Sequence, residues 1–178
     1  DFDADGFNEI IVGTQGDSLY VVNDNGSSMP GWPKKFNSDI SGSVAVGDVD
    51  NNGDLEVVVC EYAGNVYVLN HDGSTMWVRY FQNQLTFGPS PALGDLNGDG
   101  KLEVVIPSKN RNLYAVQWNG TDLPGWPVVY ASQLYTESSP VLADIDADGV
   151  VDAVLGDEMK FINAWGGNGQ LLDGFPLA

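Results

Sequence analysis

The sequence predicts an all-β fold, a β-propeller segment of about four blades with four antiparallel strands in each. Three observations carry that expectation. A run of oxygen-bearing side chains returns along the 178 residues at offsets of 47, 47 and 49, and strand-built repeats of roughly 40–50 residues are the signature of propeller blades. Each run is followed by a short apolar, largely β-branched stretch, namely Ile10 to Val12, Val57 to Val59, Val104 to Ile106 and Ala153 to Leu155, which reads as a strand. No stretch sustains a 3.6-residue apolar period with caps, while Gly and Pro are spread throughout, so no helix is expected.

The second repeat shows the elements in order. Strand A runs from Ser43 to Val49 into the acidic loop, B leaves it from Glu56 to Glu61, C returns from Asn65 to Asn70, and D closes the unit from Thr75 to Phe81. Between B and C stand short polar pieces such as Gln15-Gly16-Asp17, Ala63-Gly64-Asn65 and Asn110-Arg111-Asn112, which read as hairpin turns. Between C and D every copy has an Asx-Gly pair, Asn25-Gly26, Asp72-Gly73, Asn119-Gly120 and Asn168-Gly169, and such pairs supply the positive φ angles of a tight hairpin. Tyr20, Tyr67 and Tyr114, with Asn163 in the fourth copy, hold equivalent places on strand C and are expected to pack between blades. Near strand D, Pro30-Gly31-Trp32-Pro33, Pro124-Gly125-Trp126-Pro127 and Asp173-Gly174-Phe175-Pro176 recur. Pro suits an edge strand, and the aromatic is expected as a buried anchor between blades, since large aromatics bury most of their area.

The repeats divide as residues 1–40, 41–87, 88–136 and 137–178, and the first lacks its strand A. Propellers avoid open edges by closing a ring of typically four to eight blades. The chain is therefore expected to be a segment of a larger ring.

The acidic runs carry the chemistry. Asp95, Asn97 and Asp99 place a side-chain oxygen at every second residue, Gly100 permits a sharp turn, and Glu103 adds a carboxylate four residues after Asp99. The other copies are Asp1, Asp3, Asp5, Gly6 and Glu9; Asp48, Asp50, Asn52, Gly53 and Glu56; and Asp144, Asp146, Asp148, Gly149 and Asp152. Ca²⁺ takes roughly 6–8 oxygen ligands in a flexible shell, and a Gly-centred turn collects them locally. Acidic residues with Gly also make ordinary solvated turns, but an acid three residues beyond the Gly in all four copies points to metal loops, with up to four Ca²⁺ expected. An EF-hand is excluded. It needs a bidentate Glu at loop position 12 and a following helix, and that position holds Val12, Val59, Ile106 or Leu155.

Charge agrees with this reading. The formal net charge is −18, and 15 of the 25 acids lie inside the four loops, so four bound Ca²⁺ would bring it to −10. With 43% hydrophobic and 18% charged residues the chain has the composition of a folded protein. Seven scattered Lys and Arg provide no basic face, which argues against nucleic acid. Cys60 is alone, so no intrachain disulfide forms, and a buried thiol is expected. No stretch is long and apolar enough to span a membrane. Weak oxygen-ligand calcium loops fill where calcium is millimolar, so an extracellular or cell-surface location is expected.

The pattern resembles, over essentially the whole chain, the FG-GAP and VCBS repeats of the integrin α-subunit type of propeller. The stretches that carry the likeness most closely are Phe87-Gly88-Pro89-Ser90-Pro91-Ala92-Leu93-Gly94-Asp95 and Ser41-Gly42-Ser43-Val44-Ala45-Val46-Gly47-Asp48. The family's Gly-Ala-Pro turn after strand B is replaced here by Gly13-Thr14, Cys60-Glu61, Pro107-Ser108 and Gly156-Asp157, closer to bacterial and multi-domain relatives than to integrins. The resemblance implies calcium held by the side chains at loop positions 1, 3, 5 and 9 and by the carbonyl at position 7, here Phe7, Asp54, Lys101 and Val150. It also implies ligand binding on the opposite face, formed by the B–C and D–A loops.

No residue set predicts catalysis. His71, the single histidine, precedes a hairpin Asp-Gly and reads as a solvated turn residue. Gly88-Pro89-Ser90-Pro91-Ala92 lacks the last Gly and the following helix of a nucleophile elbow, and no acid stands out as the raised-pKa partner of a glycosidase pair. The function expected is a calcium-stabilised, non-catalytic binding or adhesion module for an extracellular protein or glycan. Its contacts are expected among Tyr62, Lys109, Asn110, Arg111, Gln82, Gln84, Gln133 and Tyr135. Two alternatives stand beside it: the propeller portion of a polysaccharide-active enzyme such as a lyase, since fold alone does not fix function, and a self-assembling architectural repeat in a fibre or sheath.

Overall fold

The structure, a computed structural model, describes residues 1–40, 42–81, 88–108, 110–130 and 136–178. Among them there is no helix, and the strands form four separate antiparallel sheets. The first sheet has β1 (Ile10–Gly13), β2 (Ser18–Val22) and β3 (Lys34–Lys35). The second has β4 (Ala45–Gly47), β5 (Glu56–Cys60), β6 (Asn65–Asn70) and β7 (Thr75–Tyr80). The third has β8 (Ala92–Gly94), β9 (Glu103–Pro107), β10 (Asn112–Val116) and β11 (Val128–Val129). The fourth has β12 (Val141–Ala143), β13 (Asp152–Gly156) and β14 (Ile162–Trp165). Each sheet is a meander in chain order, the pattern of a propeller blade.

Strand D departs from a uniform four-stranded blade. It runs six residues in the second blade, two in the first and third, and shrinks in the fourth to the single bridge Ile162↔Leu177. The short ones follow the Pro-Gly-aromatic-Pro segments. There the chain makes a turn first, with the Trp32, Trp126 and Phe175 N–H groups donating to Met29, Leu123 and Leu172, and each Pro lacks the N–H a ladder needs.

Packing between blades holds the arc together. Val57 and Val59 join Leu19, Val21 and Trp32 of the first blade, while Val58 and Cys60 join Val104, Ile106 and Tyr114 of the third. Val105, Leu113 and Ala115 meet Ala153, Leu155 and Trp165 of the fourth. Alternate residues of one strand thus serve opposite neighbours, which is why strand B reads as a continuous apolar run. Each Val, Leu or Ile among them contributes roughly 1.5–3 kcal/mol on burial. Burial pushes the Cys60 thiol up to about 12, so it remains a neutral core residue.

Polar and aromatic contacts repeat at the same joints. Tyr67 meets Phe36 and Tyr114 meets Phe81 edge to face at 4.9 and 4.8 Å, tying each strand C to the blade before it. Along the inner edge the Ser43 N–H donates to Ser90 Oγ at 2.9 Å and the Ser90 N–H to Ser139 Oγ at 3.0 Å.

Candidate metal centres

The acidic loops are the A–B hairpins. The closing acid begins strand B and lies in register opposite the last residue of strand A: Glu56 opposite Gly47, Glu103 opposite Gly94 and Asp152 opposite Ala143. In these three copies the sheet therefore fixes both ends of the loop, and the residues between have to turn within that span.

Three hydrogen bonds recur in every copy. The position-6 glycine N–H donates to the first Asp, from Gly6, Gly53, Gly100 and Gly149 to Asp1, Asp48, Asp95 and Asp144 at 3.0, 2.9, 2.8 and 3.1 Å. The position-7 N–H of Phe7, Asp54, Lys101 and Val150 donates to the side-chain oxygen of Asp5, Asn52, Asp99 and Asp148 at 2.9, 2.7, 2.9 and 2.8 Å. The N–H of Phe2, Val49, Leu96 and Ile145 donates to the closing acid Glu9, Glu56, Glu103 or Asp152 at 2.5, 2.8, 2.8 and 2.8 Å. One oxygen of each carboxylate is thereby clamped to backbone.

This last bond escapes a reading that looks only at oxygen side chains. Its signal is the apolar residue at position 2 of every loop; Phe2, Val49 and Leu96 are buried and anchor the N–H that holds the acid. A second feature is the backbone of position 4, where Ala4, Asn51, Gly98 and Ala147 take φ of 61°, 59°, 75° and 62°. Only Gly98 advertises it.

The sequence-chosen oxygens converge. Asp1, Asp3 and Asp5 bring carboxylate oxygens within 4.8 Å of one another, as do Asp48, Asp50 and Glu56, and Asp144, Asp146 and Asp152. In the first loop Glu9 stands outside that group and is held by the Phe2 N–H. In the third loop Asn97 replaces the middle acid, and its amide nitrogen bridges Glu103 at 3.1 Å and Asp99 at 3.3 Å. At position 7 the side chains turn to other tasks: Lys101 Nζ lies 3.4 Å from the Trp118 ring centroid, and Asp54 Oδ2 is 4.0 Å from His71 Nδ1.

The electrostatics favour a cation. Glu56, Glu103 and Asp152 are buried. Desolvation raises all three, and neighbouring loop carboxylates add to it, so that Glu103 is pushed up to about 7 while the Leu96 N–H pulls it down. Glu56 Oε1 and Asp50 Oδ1 are buried with no hydrogen-bond partner. Burying charged oxygen without a partner is costly, and a divalent ion held by Asp48, Asp50 and Glu56 would offset the desolvation and the repulsion. The donor set is all oxygen, the chemistry of Ca²⁺ or Mg²⁺ rather than of a thiolate- or imidazole-seeking metal. The second loop opens into a cleft of about 350 Å³ lined by Asp50, Asn52, Glu56, His71 and Met76.

At the opposite end of the blades Tyr62 and Asn110 are exposed and Arg111 is half-buried. Lys109, Gln82, Gln84, Gln133 and Tyr135 lie outside the described residues. Sequence reasoning missed Glu61 there, a buried carboxylate that accepts hydrogen bonds from the Asn37 N–H at 3.1 Å and the Asn65 amide. It fastens the D–A segment over the B–C turn, and nothing in its spacing marks it.

The family model described as an FG-GAP-like repeat matches residues 1–59, 48–106 and 95–155, each window opening on an acidic loop. No curated protein matches the chain. Similar solved structures include BamB from Moraxella catarrhalis, with a TM-score of 0.66 at 18% identity, over 93% of this chain and 44% of that one. BBS1N in complex with ARL6DN reaches 0.71 at 8% identity, over 97% and 53%. The C-terminal domain of Pseudomonas aeruginosa PilY1 reaches 0.65 at 19% identity, over 88% and 37%. The likeness is one of fold, and the chain spans about half or less of these chains.

Proposed function

The chain belongs to the FG-GAP-like repeat family, and we propose that it is a calcium-stabilised propeller segment acting outside the cell as a non-catalytic binding module for a protein or glycan. The observation that carries the calcium reading is the pair of buried, unpartnered oxygens, Glu56 Oε1 and Asp50 Oδ1, beside Asp48. The ions would be held by Asp1, Asp3 and Asp5 with Glu9; Asp48, Asp50, Asn52 and Glu56; Asp95, Asn97, Asp99 and Glu103; and Asp144, Asp146, Asp148 and Asp152, with the carbonyls of Phe7, Asp54, Lys101 and Val150. A bound ion supplies charge neutralisation and ties the end of strand A to the start of strand B.

Every loop is committed to this structural task, which leaves the other end of the blades, around Tyr62, Asn110 and Arg111, for recognition. The extracellular assignment follows from the calcium reading, because loops of this kind fill at millimolar calcium. The test is to probe the calcium-loaded chain against arrayed matrix proteins and polysaccharides while following ultraviolet absorbance for unsaturated lyase products. Binding without product is expected. Product formation would overturn the non-catalytic reading, and absence of any binding would overturn the recognition reading.

A further inference from the structure

We propose that the second and third acidic loops take up calcium as a coupled pair, linked by one backbone hydrogen bond from the Leu102 N–H to the Val49 carbonyl at 3.0 Å. The coupling rests on the calcium reading above and concerns how the two loops respond to each other. Both ends of the bond belong to the loops themselves. Val49 is fully buried at position 2 of the second loop, and its N–H donates to Glu56 Oε2 at 2.8 Å, on the carboxylate whose other oxygen has no partner. Leu102 follows Lys101, so its N–H and the Lys101 carbonyl, the position-7 oxygen of the third loop, are the two ends of one peptide group. That group is trans and planar, with its C=O and N–H pointing in opposite directions. With the N–H turned to the second loop, the carbonyl is turned away from it.

Neighbouring contacts hold this peptide in place. The Lys101 N–H donates to Asp99 Oδ1 at 2.9 Å, and Lys101 Nζ lies over the Trp118 ring at 3.4 Å. A Cβ on Gly47, the residue before Asp48, would stand 3.0 Å from Leu102 Cδ1, and one on Gly100 3.4 Å from Asn51 Nδ2. The two loops abut closely, so a shift in one is felt by the other. The joints on either side lack the bond. Leu55 and Val151 hold the place of Leu102, and among the described residues neither N–H donates to the Phe2 or Leu96 carbonyl. At Leu96 the Gly167 backbone crowds the carbonyl so closely that no Cβ would fit.

The sign of the coupling follows from polarisation. Hydrogen-bonded groups in series strengthen one another. Positive charge at the Lys101 carbonyl makes the Leu102 N–H a stronger donor to Val49, and a Glu56 carboxylate relieved of its repulsion holds Val49 in position to accept. Each loop therefore favours the state that the other needs, and the coupling is the same read from either site.

Calcium titration of the metal-free 178-residue chain, followed in ¹H–¹⁵N spectra, tests this. The Gly53, Gly100 and Gly149 amides each donate to the first Asp of their own loop, so they report the second, third and fourth loops separately. The paired substitutions Asp50→Asn with Glu56→Gln disable the second loop while leaving an acceptor for the Val49 N–H; Asp99→Asn with Glu103→Gln disable the third. Dispersed spectra check that both variants fold, and either one carries the test for the loop left intact. Whichever of the two loops fills later in the wild type is expected to need roughly 3–10-fold more calcium once its neighbour is disabled, while the Gly149 midpoint moves by less than about twofold. Unchanged midpoints at Gly100 in the first variant and at Gly53 in the second would overturn the coupling and leave the calcium reading standing. Equal weakening at Gly149 would overturn it too, since the effect would then not run through the Leu102 bond. No calcium-dependent shift at any of the three glycines in the wild type would overturn both.

Discussion

Replacing Glu56 by Gln separates a calcium loop from an acidic turn, because only in a calcium loop does the substitution reduce the stabilisation that calcium gives. The Glu56 side chain is fully buried; Oε2 accepts the Val49 N–H at 2.8 Å, Oε1 has no hydrogen-bond partner, and a carboxylate oxygen of Glu56 lies within 4.8 Å of Asp48 and Asp50 oxygens. The amide keeps an acceptor for Val49 and turns an NH₂ toward the unpartnered Asp50 Oδ1. In excess chelator the substitution removes a buried charge and its repulsion, on the order of 1–4 kcal/mol per pair at such separations, of which solvent screening leaves a net gain of about 1–3 kcal/mol. For a domain of this size that raises the melting temperature by roughly 2–10 °C. In millimolar calcium the variant lacks a carboxylate ligand, and a loss of tenfold or more in affinity at that loop costs at least ~1.4 kcal/mol. Paired thermal melts of wild type and Glu56→Gln in chelator and in calcium read both numbers. A calcium-induced rise in melting temperature as large in the variant as in wild type would refute the reasoning.

Other consequences follow from the same geometry. Glu103, lifted to about 7 by burial first and by Asp99 and Asp95 next, binds its proton more tightly in the folded, metal-free protein than in the unfolded chain. Its stabilisation is full below about pH 4.5 and is lost as pH rises through about 7, a decline of about 3 kcal/mol that urea titrations in chelator would register; with calcium present, the proton competes and affinity at this loop weakens below that pH. Ala147 sits at φ 62°, so Ala147→Gly is expected to gain roughly 0.5–1 kcal/mol after the entropy of the freer unfolded chain is subtracted; a lower urea midpoint would contradict the strain. Trp126→Phe leaves the Gly167 carbonyl without the Nε1 donor now at 2.9 Å and is expected to cost about 1–2 kcal/mol, seen as a lower melting temperature.

Much of this architecture is written where chemistry restricts the residue type. The Asx-Gly hairpins announce themselves because Gly26, Gly73, Gly120 and Gly169 all have positive φ, and the acidic loops do so because their oxygen side chains alternate at the same spacing in every copy. The limits of β5, β6 and β7 fall within a residue or two of the strands read from the second repeat, since apolar runs end at polar turns. What the residues hide is backbone that any side chain is forced to adopt. The left-handed turn between B and C falls at Asp17, Gly64, Arg111 and Lys160, a set with no common chemistry. Strand D also gives little warning of its length, because the Pro-Gly-Trp-Pro turn consumes the residues that β7 spends on a ladder. At the site, the convergence of the acids was legible, but the N–H clamp on Glu56 and its equivalents comes from the apolar position-2 residues, whose role is visible only once burial is known.

Counting bound calcium per chain after equilibrium dialysis, alongside unfolding in chelator and in millimolar calcium, tests the central claim most directly. Close to four ions per chain with a clear rise in melting temperature is the expected result, because an ion that binds the native state stabilises it. No bound calcium and superimposable melting curves would contradict it, reducing the four loops to acidic turns and removing the ground for an extracellular role.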